Sequence, residues 1–292
     1  MRKLFIYTGV AAVLLYAAMW FLYYFDVINS LWLIGILLGE LLVLLIVLIL
    51  LRKEKQDLKI IRNTVILLMC IFVLELELVN YESLTYRVSL VAEPIEAVDN
   101  SGIHLMVVKS FDLEYLKDEK LIVESFENEN QEVLKLQKFD NESRYKSKNV
   151  QLLNWITKKE DDFSIMRKNI QNYLSGDTKS IDPFLKRDDI SGDSVGLGLA
   201  ISAKIADGKL KNNKTIGITG ALDASGNVLP IGMVEEKIRI AEKKSYPYII
   251  VPRGNAKEAR EVKQSMDLKI EIFDVTHIDQ ALSLIKKLNT ES

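Results

Sequence analysis

Hydrophobic and polar positions change their pattern near residue 80. Before it, apolar residues come in unbroken blocks: Leu4 to Tyr24 has no charged residue and Leu31 to Leu51 has one, Glu40. Each block has about the ~20 residues that a helix needs to cross the hydrocarbon core of a bilayer, so both are predicted spans. A third uncharged run, Asn63 to Leu74, reaches span length over 64–79 only by taking in Glu75 and Glu77. Beyond Asn80, apolar-rich and β-branched runs at Leu84 to Ala92, Gly102 to Val108, Leu121 to Ser125 and Glu132 to Leu136 predict strands. Lys, Glu, Asp and Asn dominate from Asp112 to Asp182, where a helix is expected near Phe163 to Leu174 and the charge runs read as solvated faces and loops. From Ser194 onward the periods alternate. Helices are predicted over Ser194 to Ala206, Val234 to Lys244, Ala256 to Ser265 and Ile278 to Leu288. Strands are predicted over Thr215 to Gly220, Tyr248 to Val251 and Leu268 to Phe273. The turn Ala224-Ser225-Gly226-Asn227 leads into Val228-Leu229-Pro230. The expected architecture is an α+β C-terminal domain with sheet-packed helices, preceded by an N-terminal bundle of two or three transmembrane helices.

Charge sharpens this division. The first 79 residues hold 7 Lys/Arg and 6 Asp/Glu, nearly all at block edges, against 31 and 34 in the rest. With 49% hydrophobic and 27% charged residues overall, the pattern excludes a wholly soluble enzyme, a many-span transporter and a disordered chain. The net charge of −2 leaves no basic field, so nucleic acid is not an expected partner. One cysteine, Cys70, excludes an intrachain disulfide framework and a multi-cysteine zinc site. No phosphate-binding loop and no metal-ligand cluster stands out, so neither ATP nor a metal is an expected cofactor.

Topology follows from the flanks. The first block ends in Trp20, Phe21, Tyr23 and Tyr24, the aromatic belt of a retained span rather than a cleavage site. Arg2 and Lys3 precede it, and Arg52, Lys53, Lys55, Lys59 and Arg62 crowd the second loop, whereas the first loop has no Lys or Arg. Three spans with both basic flanks in the cytoplasm put everything after about Asn80 outside a cell membrane. If the third run only lies on the surface, that domain is cytoplasmic. Glu40, near the middle of the second span, is by default a functional candidate. The alternative is that it is protonated, or paired between helices, and holds the bundle or an oligomer together.

Candidate chemistry sits late in the chain. In Ser191-Gly192-Asp193-Ser194-Val195-Gly196-Leu197-Gly198, glycines flank a serine where a loop becomes a helix, and backbone N–H groups at a helix start can stabilise an oxyanion. A helix-capping turn explains the same residues equally well. In the helix from Val234, the residues Val234, Ile238 and Ala241 form an apolar stripe, while Glu235, Glu236, Arg239, Glu242 and Lys243 are expected on a wet face. Lys237 shares the apolar side, where desolvation would lower its pKa and suit its amine to accept a proton from a serine. Lys244, at the helix end, is expected to snorkel. Neither His104 nor His277 sits in a triad-like context.

Gly-Asp-Ser-Val-Gly opening a helix, Ile218-Thr219-Gly220, Gly226-Asn227-Val228-Leu229-Pro230-Ile231-Gly232, Glu236-Lys237-Ile238 and Ile249-Ile250-Val251-Pro252 occur in one order over about Asp188 to Leu288. Together they resemble the proteolytic domain of the Lon family of serine-lysine proteases. The resemblance implies Ser194 as nucleophile, Lys237 as general base, and Thr219, Asp193 and Gly192 as supporting residues, with the Thr219 hydroxyl orienting the lysine amine. It implies peptide-bond hydrolysis through an acyl-enzyme, without metal. Three departures stand out. Asp193 replaces a common proline, although Gly-Asp-Ser also occurs in membrane-anchored archaeal relatives. Met233 replaces the second glycine of Pro-Ile-Gly-Gly. No ATPase module accompanies the motifs, which points to the stand-alone, membrane-anchored Lon-like proteases. The implied division is an anchor at 1–80, strands and a charged linking region at 84–190, and a catalytic subdomain at 188–289. The implied function is ATP-independent cleavage of unfolded or flexible segments of membrane or exported proteins, with a homo-oligomer expected by analogy. The alternative is a membrane scaffold or sensor whose Lon-like fold binds peptides without cutting them.

Overall fold

The computed structural model describes residues 2–50 and 58–290. The basic stretch Arg52, Lys53, Glu54, Lys55 lies outside them. The chain forms two compact units. One comprises 1–87, 112–119 and 137–158, and the other 88–111, 120–136 and 159–292.

The first unit is built on α1 (Arg2–Tyr24), α2 (Ser30–Leu50) and α3 (Leu58–Leu76), followed directly by α4 (Leu78–Tyr81). All three long helices have the length and composition to cross a membrane. Leu37, Leu41 and Leu44 of α2 pack on Ile61, Val65 and Leu68 of α3, each set spaced by three or four residues along one helical face. Glu40 buries one carboxyl oxygen that has no hydrogen-bond partner among the described residues.

Three strands, β1 (Leu84–Val91), β3 (Val108–Glu114) and β4 (Val133–Lys138), form a sheet of order β3-β1-β4. The expected strand Leu121–Ser125 is instead the middle of a helix, α5 (Glu119–Asn128). Ile122 is buried and Phe126, four residues on, meets Phe111, so a helical period decided what three consecutive apolar residues left open.

The charged region also holds α6 (Asn141–Thr157), a helix with no sequence-level counterpart above. The Asp140 carboxylate accepts from Ser143 N–H at 2.7 Å and caps its start. Its charges are not all solvated: Lys148, 2% exposed, sits 2.8 Å from the buried Glu75 of α3, and Tyr16 and Tyr145 hydroxyls donate to the same carboxylate.

The second unit has a parallel sheet of order β2-β5-β8-β9, comprising β2 (Ile103–Leu105), β5 (Ile216–Ile218), β8 (Tyr248–Pro252) and β9 (Glu271–Val275). A small antiparallel pair, β6 (Ala221–Leu222) with β7 (Val228–Leu229), adjoins it. Parallel neighbours require crossovers, supplied here by α10 (Val234–Lys243) between β5 and β8 and by α11 (Ala256–Ser265) between β8 and β9. Strand alternation sorts the two faces. Ile250 packs with α9 (Gly196–Ala206) and α12 (Ile278–Thr290), whereas Ile249 and Val251 pack with Ile238 and Ile240 of α10 and Ala259 of α11. On its far side α9 is covered by α7 (Asp162–Tyr173) and α8 (Asp182–Leu185), through Met166, Ile170 and Phe184 against Leu199 and Ala203. The unit is therefore mixed α/β, with α9 buried from Gly196 to Ala203. Gly198 shows how tight this is, because a Cβ there would lie 2.3 Å from a Leu105 methyl.

Candidate active site

The central position of α9 holds the loop before it in place. Gly192 takes a φ of +85°, a conformation a side chain would strain, and the next two residues, Asp193 and Ser194, are half-buried. The Ser194 carbonyl accepts two bonds from the end of β5, the Gly220 N–H at 2.7 Å and the Thr219 hydroxyl at 3.2 Å. Leu197 N–H returns a bond to Gly220 O at 2.9 Å. Thr219 is fully buried and its own N–H bonds Ile250 O at 3.1 Å. The serine backbone is thus tied directly into the parallel sheet.

Lys237 comes from the opposite helical layer. Val234, Ile238 and Ala241 are buried at the spacing read from the sequence, and Lys237, 4% exposed, lies among them. Its Nζ donates to Gly232 O at 3.0 Å. Burial pushes the Lys237 amine down to about 8, against the opposing pull of the Asp193 and Glu236 carboxylates. Asp193 moves the other way: burial raises its carboxyl above the usual range.

Gly192, Asp193, Ser194, Gly232, Met233 and Lys237 line one cavity of about 730 Å³, whose far wall includes Val107, Val108, Lys109 and Ser110. Of the five residues singled out from the sequence, four therefore meet at one opening. Thr219 stands behind it: the resemblance gave its hydroxyl the task of orienting the lysine amine, whereas here it donates to the Ser194 carbonyl and the amine donates to Gly232 O. Neither histidine is part of the lining: His104 pairs with Glu96 at 3.2 Å, and His277 lies near Asp279. Among the described residues no group of three or more His, Cys, Asp or Glu is placed to hold a metal.

Met233 precedes α10 with φ +58° and ψ +43°, the left-handed region. This gives a physical reason for glycine at that position, since a side chain there costs about 1–2 kcal/mol.

Two features had no sequence-level signal. Asn255 acts as a strand partner for the loop before α10, accepting from Ile231 N–H at 2.9 Å and donating to Ile231 O at 3.0 Å. The second corrects the wet face expected on α10. Glu236 is buried and faces Lys135 at 3.7 Å, Arg239 donates to Leu134 O, Glu242 accepts from Ile270 N–H at 3.0 Å, and Lys243 pairs with Glu132. Lys244 reaches Glu93 at 2.7 Å. Segments distant in sequence partly cover the polar side of this helix, leaving Lys243 exposed, so the helix carrying Lys237 has contacts on both faces.

Residues 189–287 match the model of the Lon protease (S16) C-terminal proteolytic domain. Among curated proteins, the chain is 31% identical over 93 residues to the Lon protease of Dictyoglomus thermophilum, covering 32% of this chain and 12% of that protein. It is 31% identical over 91 residues to the Lon protease of Rickettsia felis, covering 31% and 12%. It is 32% identical over 93 residues to the Lon protease of Trichlorobacter lovleyi, covering 32% and 11%. The chain spans about 12% of the length of these relatives.

Proposed function

We propose that the Lon-type (S16) proteolytic domain at residues 189–287 makes this chain a serine endopeptidase, with Ser194 as nucleophile and Lys237 as general base. The observation that carries the reading is the shared cavity: a half-buried serine, held by its carbonyl, lines the same opening as a buried lysine whose amine is lowered to about 8. A neutral Lys237 amine takes the Ser194 Oγ proton as Oγ attacks the scissile carbonyl carbon. Backbone N–H groups at the approach to α9, aided by its dipole, stabilise the oxyanion that forms. The lysine ammonium then gives its proton to the departing amine and an acyl-serine remains. Water, losing a proton to Lys237, attacks that ester, frees the new carboxyl end and restores the serine. Thr219 supports this by fixing the Ser194 backbone. Gly192 permits the turn that presents Asp193 and Ser194 to the cavity.

The anchor at 1–80, the linking region at 84–190 and the catalytic subdomain at 188–289 complete the proposed organisation. Helices α1 to α3 set the chain in a cell membrane, with the catalytic domain outside, and cleavage needs neither ATP nor metal. Without an unfolding motor in these residues, the substrates are flexible or unfolded segments of membrane or exported proteins. The test is cleavage of an unstructured reporter peptide by the full chain in nanodiscs, beside Ser194→Ala and Lys237→Ala. Cleavage by the parent protein alone supports the dyad. Equal, slow background from all three would favour a peptide-binding scaffold. For sidedness, a C-terminal tag should be removed by protease added to intact cells; protection until lysis would place the domain in the cytoplasm.

A further inference from the structure

α6 is pinned at two places to one end of the helical bundle. At its start, the Asn141 side chain donates to Tyr23 O and Ile28 O, both at 2.8 Å, and Asn141 N–H bonds the Asp26 carboxylate, so the α1–α2 loop holds it. Ten residues on, about 15 Å along the axis, Gln151 accepts from the Tyr81 hydroxyl at the end of α4. Between these points Lys148 reaches Glu75 of α3. The loop and the α4 end lie at the same end of the bundle, because Glu82, just after α4, accepts from the N–H of Ser30 at the start of α2 at 3.1 Å. A straight helix held at both points runs across the bundle end rather than away from it. Its last turn and a half overhangs α4.

That overhang is apolar and uncovered. Val150, Leu153, Ile156 and Trp155 are all exposed, Trp155 at 77%. No charged residue occurs from Asn149 to Thr157. At the same end lie Trp20, Phe21, Tyr24 and Trp32, the aromatic residues where two candidate spans begin or finish.

We infer that the C-terminal part of α6 lies in the membrane interface, with Leu153, Trp155 and Ile156 seated at the boundary between lipid headgroups and acyl chains, as a fourth and monotopic anchor. The inference rests on reading α1 to α3 as spans. What selects lipid over another protein is continuity: the surface extends outward from the bundle at the level of its aromatic belt, it is uncharged, and it is led by a tryptophan. An interfacial helix buries its apolar residues about 5–10 Å below the headgroups.

The test uses the full chain in nanodiscs with lipids brominated either near the glycerol end or near the methyl end of the acyl chain. Two single-tryptophan variants are compared, one keeping Trp155 (Trp20→Phe, Trp32→Phe) and one keeping Trp32 (Trp20→Phe, Trp155→Phe). Trp155 emission should fall roughly two-fold with the shallow bromines, less with the deep ones, and resist aqueous iodide. Trp32 quenched while Trp155 responds only to iodide would overturn the inference and leave the spans standing. Trp155 shielded from both quenchers would also overturn it, in favour of cover by a second copy. If Trp32 too ignores the bromines, the span reading itself fails. Should the tryptophan variants not fold, a spin label at Leu153→Cys in a Cys70→Ser chain reads the same depth. Access to dissolved oxygen but not to an aqueous nickel chelate supports the interface, and the reverse overturns it.

Discussion

Among the described residues, each unit holds one lysine that is almost completely buried, and the two are buried in opposite ways. In the helical unit, Lys148 has a carboxylate at 2.8 Å, two tyrosine hydroxyls on that carboxylate and the Tyr145 ring 4.5 Å from its ammonium. In the α/β unit, Lys237 has a neutral backbone carbonyl as its hydrogen-bond acceptor, and Asp193 and Glu236 act on it only as charges of its surroundings. Burial is alike; what differs is the acceptor. A matched carboxylate makes a lysine part of the scaffold, whereas a carbonyl leaves the desolvation uncompensated and the proton easily lost.

The contrast is broken most severely at the dyad. Ser194→Ala and Lys237→Ala should each lower peptide cleavage by at least ~10³-fold with little change in thermal unfolding, as steady-state rates beside melting curves would show. Lys237→Arg should fail as completely, because a guanidinium stays protonated throughout the usable range. Lys244→Ala, at the C-terminal cap of the same helix and paired with Glu93, should keep its activity. If Lys244→Ala loses activity and Lys237→Ala keeps it, the base is the other lysine.

At Lys148 the expected loss is stability. Glu75→Gln or Lys148→Met alone strands a buried charge or its partner and should cost about 3–5 kcal/mol. The double variant Glu75→Leu, Lys148→Met should recover most of that, measured by denaturant unfolding in detergent. A double variant no better than the singles would mean that the two side chains do not act as a pair.

The pH dependence sharpens the difference further. Since Lys237 works as a neutral amine, the cleavage rate should rise with pH through about 8 and then level. The stability linkage has the matching sign. An unfolded lysine takes up its proton near 10.5, while the folded one resists until about 8, so stability falls as pH drops through that window and stays lowered below it. Lys237→Met should therefore be more stable than the parent by about 3 kcal/mol at neutral pH, with the gain shrinking toward pH 10.5, as unfolding at several pH values would reveal. A gain that does not depend on pH would show that packing, not charge, is its source.

The smallest expected effect is at Met233. Met233→Gly removes the left-handed strain before α10, offset by the greater freedom of glycine in the unfolded chain, for a net gain of about 0.5–1 kcal/mol. A destabilised variant would mean that the Met233 side chain, which lines the cavity wall, contributes more by packing than its backbone costs.

Much of this molecule is determined locally. Two apolar runs of span length and a third weaker one, the short β-branched strands β5 and β8, the stripe Val234, Ile238, Ala241 with Lys237 among them, and the serine between glycines all arise from residues within a few positions of one another. Such patterns survive in a linear reading because helix and strand periods are themselves local. The start of α9 two residues after Ser194, and the extension of β9 to Val275, differ from expectation only at their ends, where boundaries fray.

Only the tertiary structure decided the partners. Lys148 and Glu75 are 73 positions apart, Lys135 and Glu236 are 101 apart, and Asn255 meets Ile231 across 24. Glu75 stands out as a charge in an apolar run, but Lys148, Lys135, Glu236 and Asn255 carry no local mark that distinguishes them from solvated residues. Whether a lysine is wet, paired or stranded depends on which distant element closes over it, and chain closure is set by the packing of all the elements together. That is why the Lys237 stripe position and its desolvated amine were legible, while the Asn255 contact, the partners on the polar face of α10 and the α6 anchor were not.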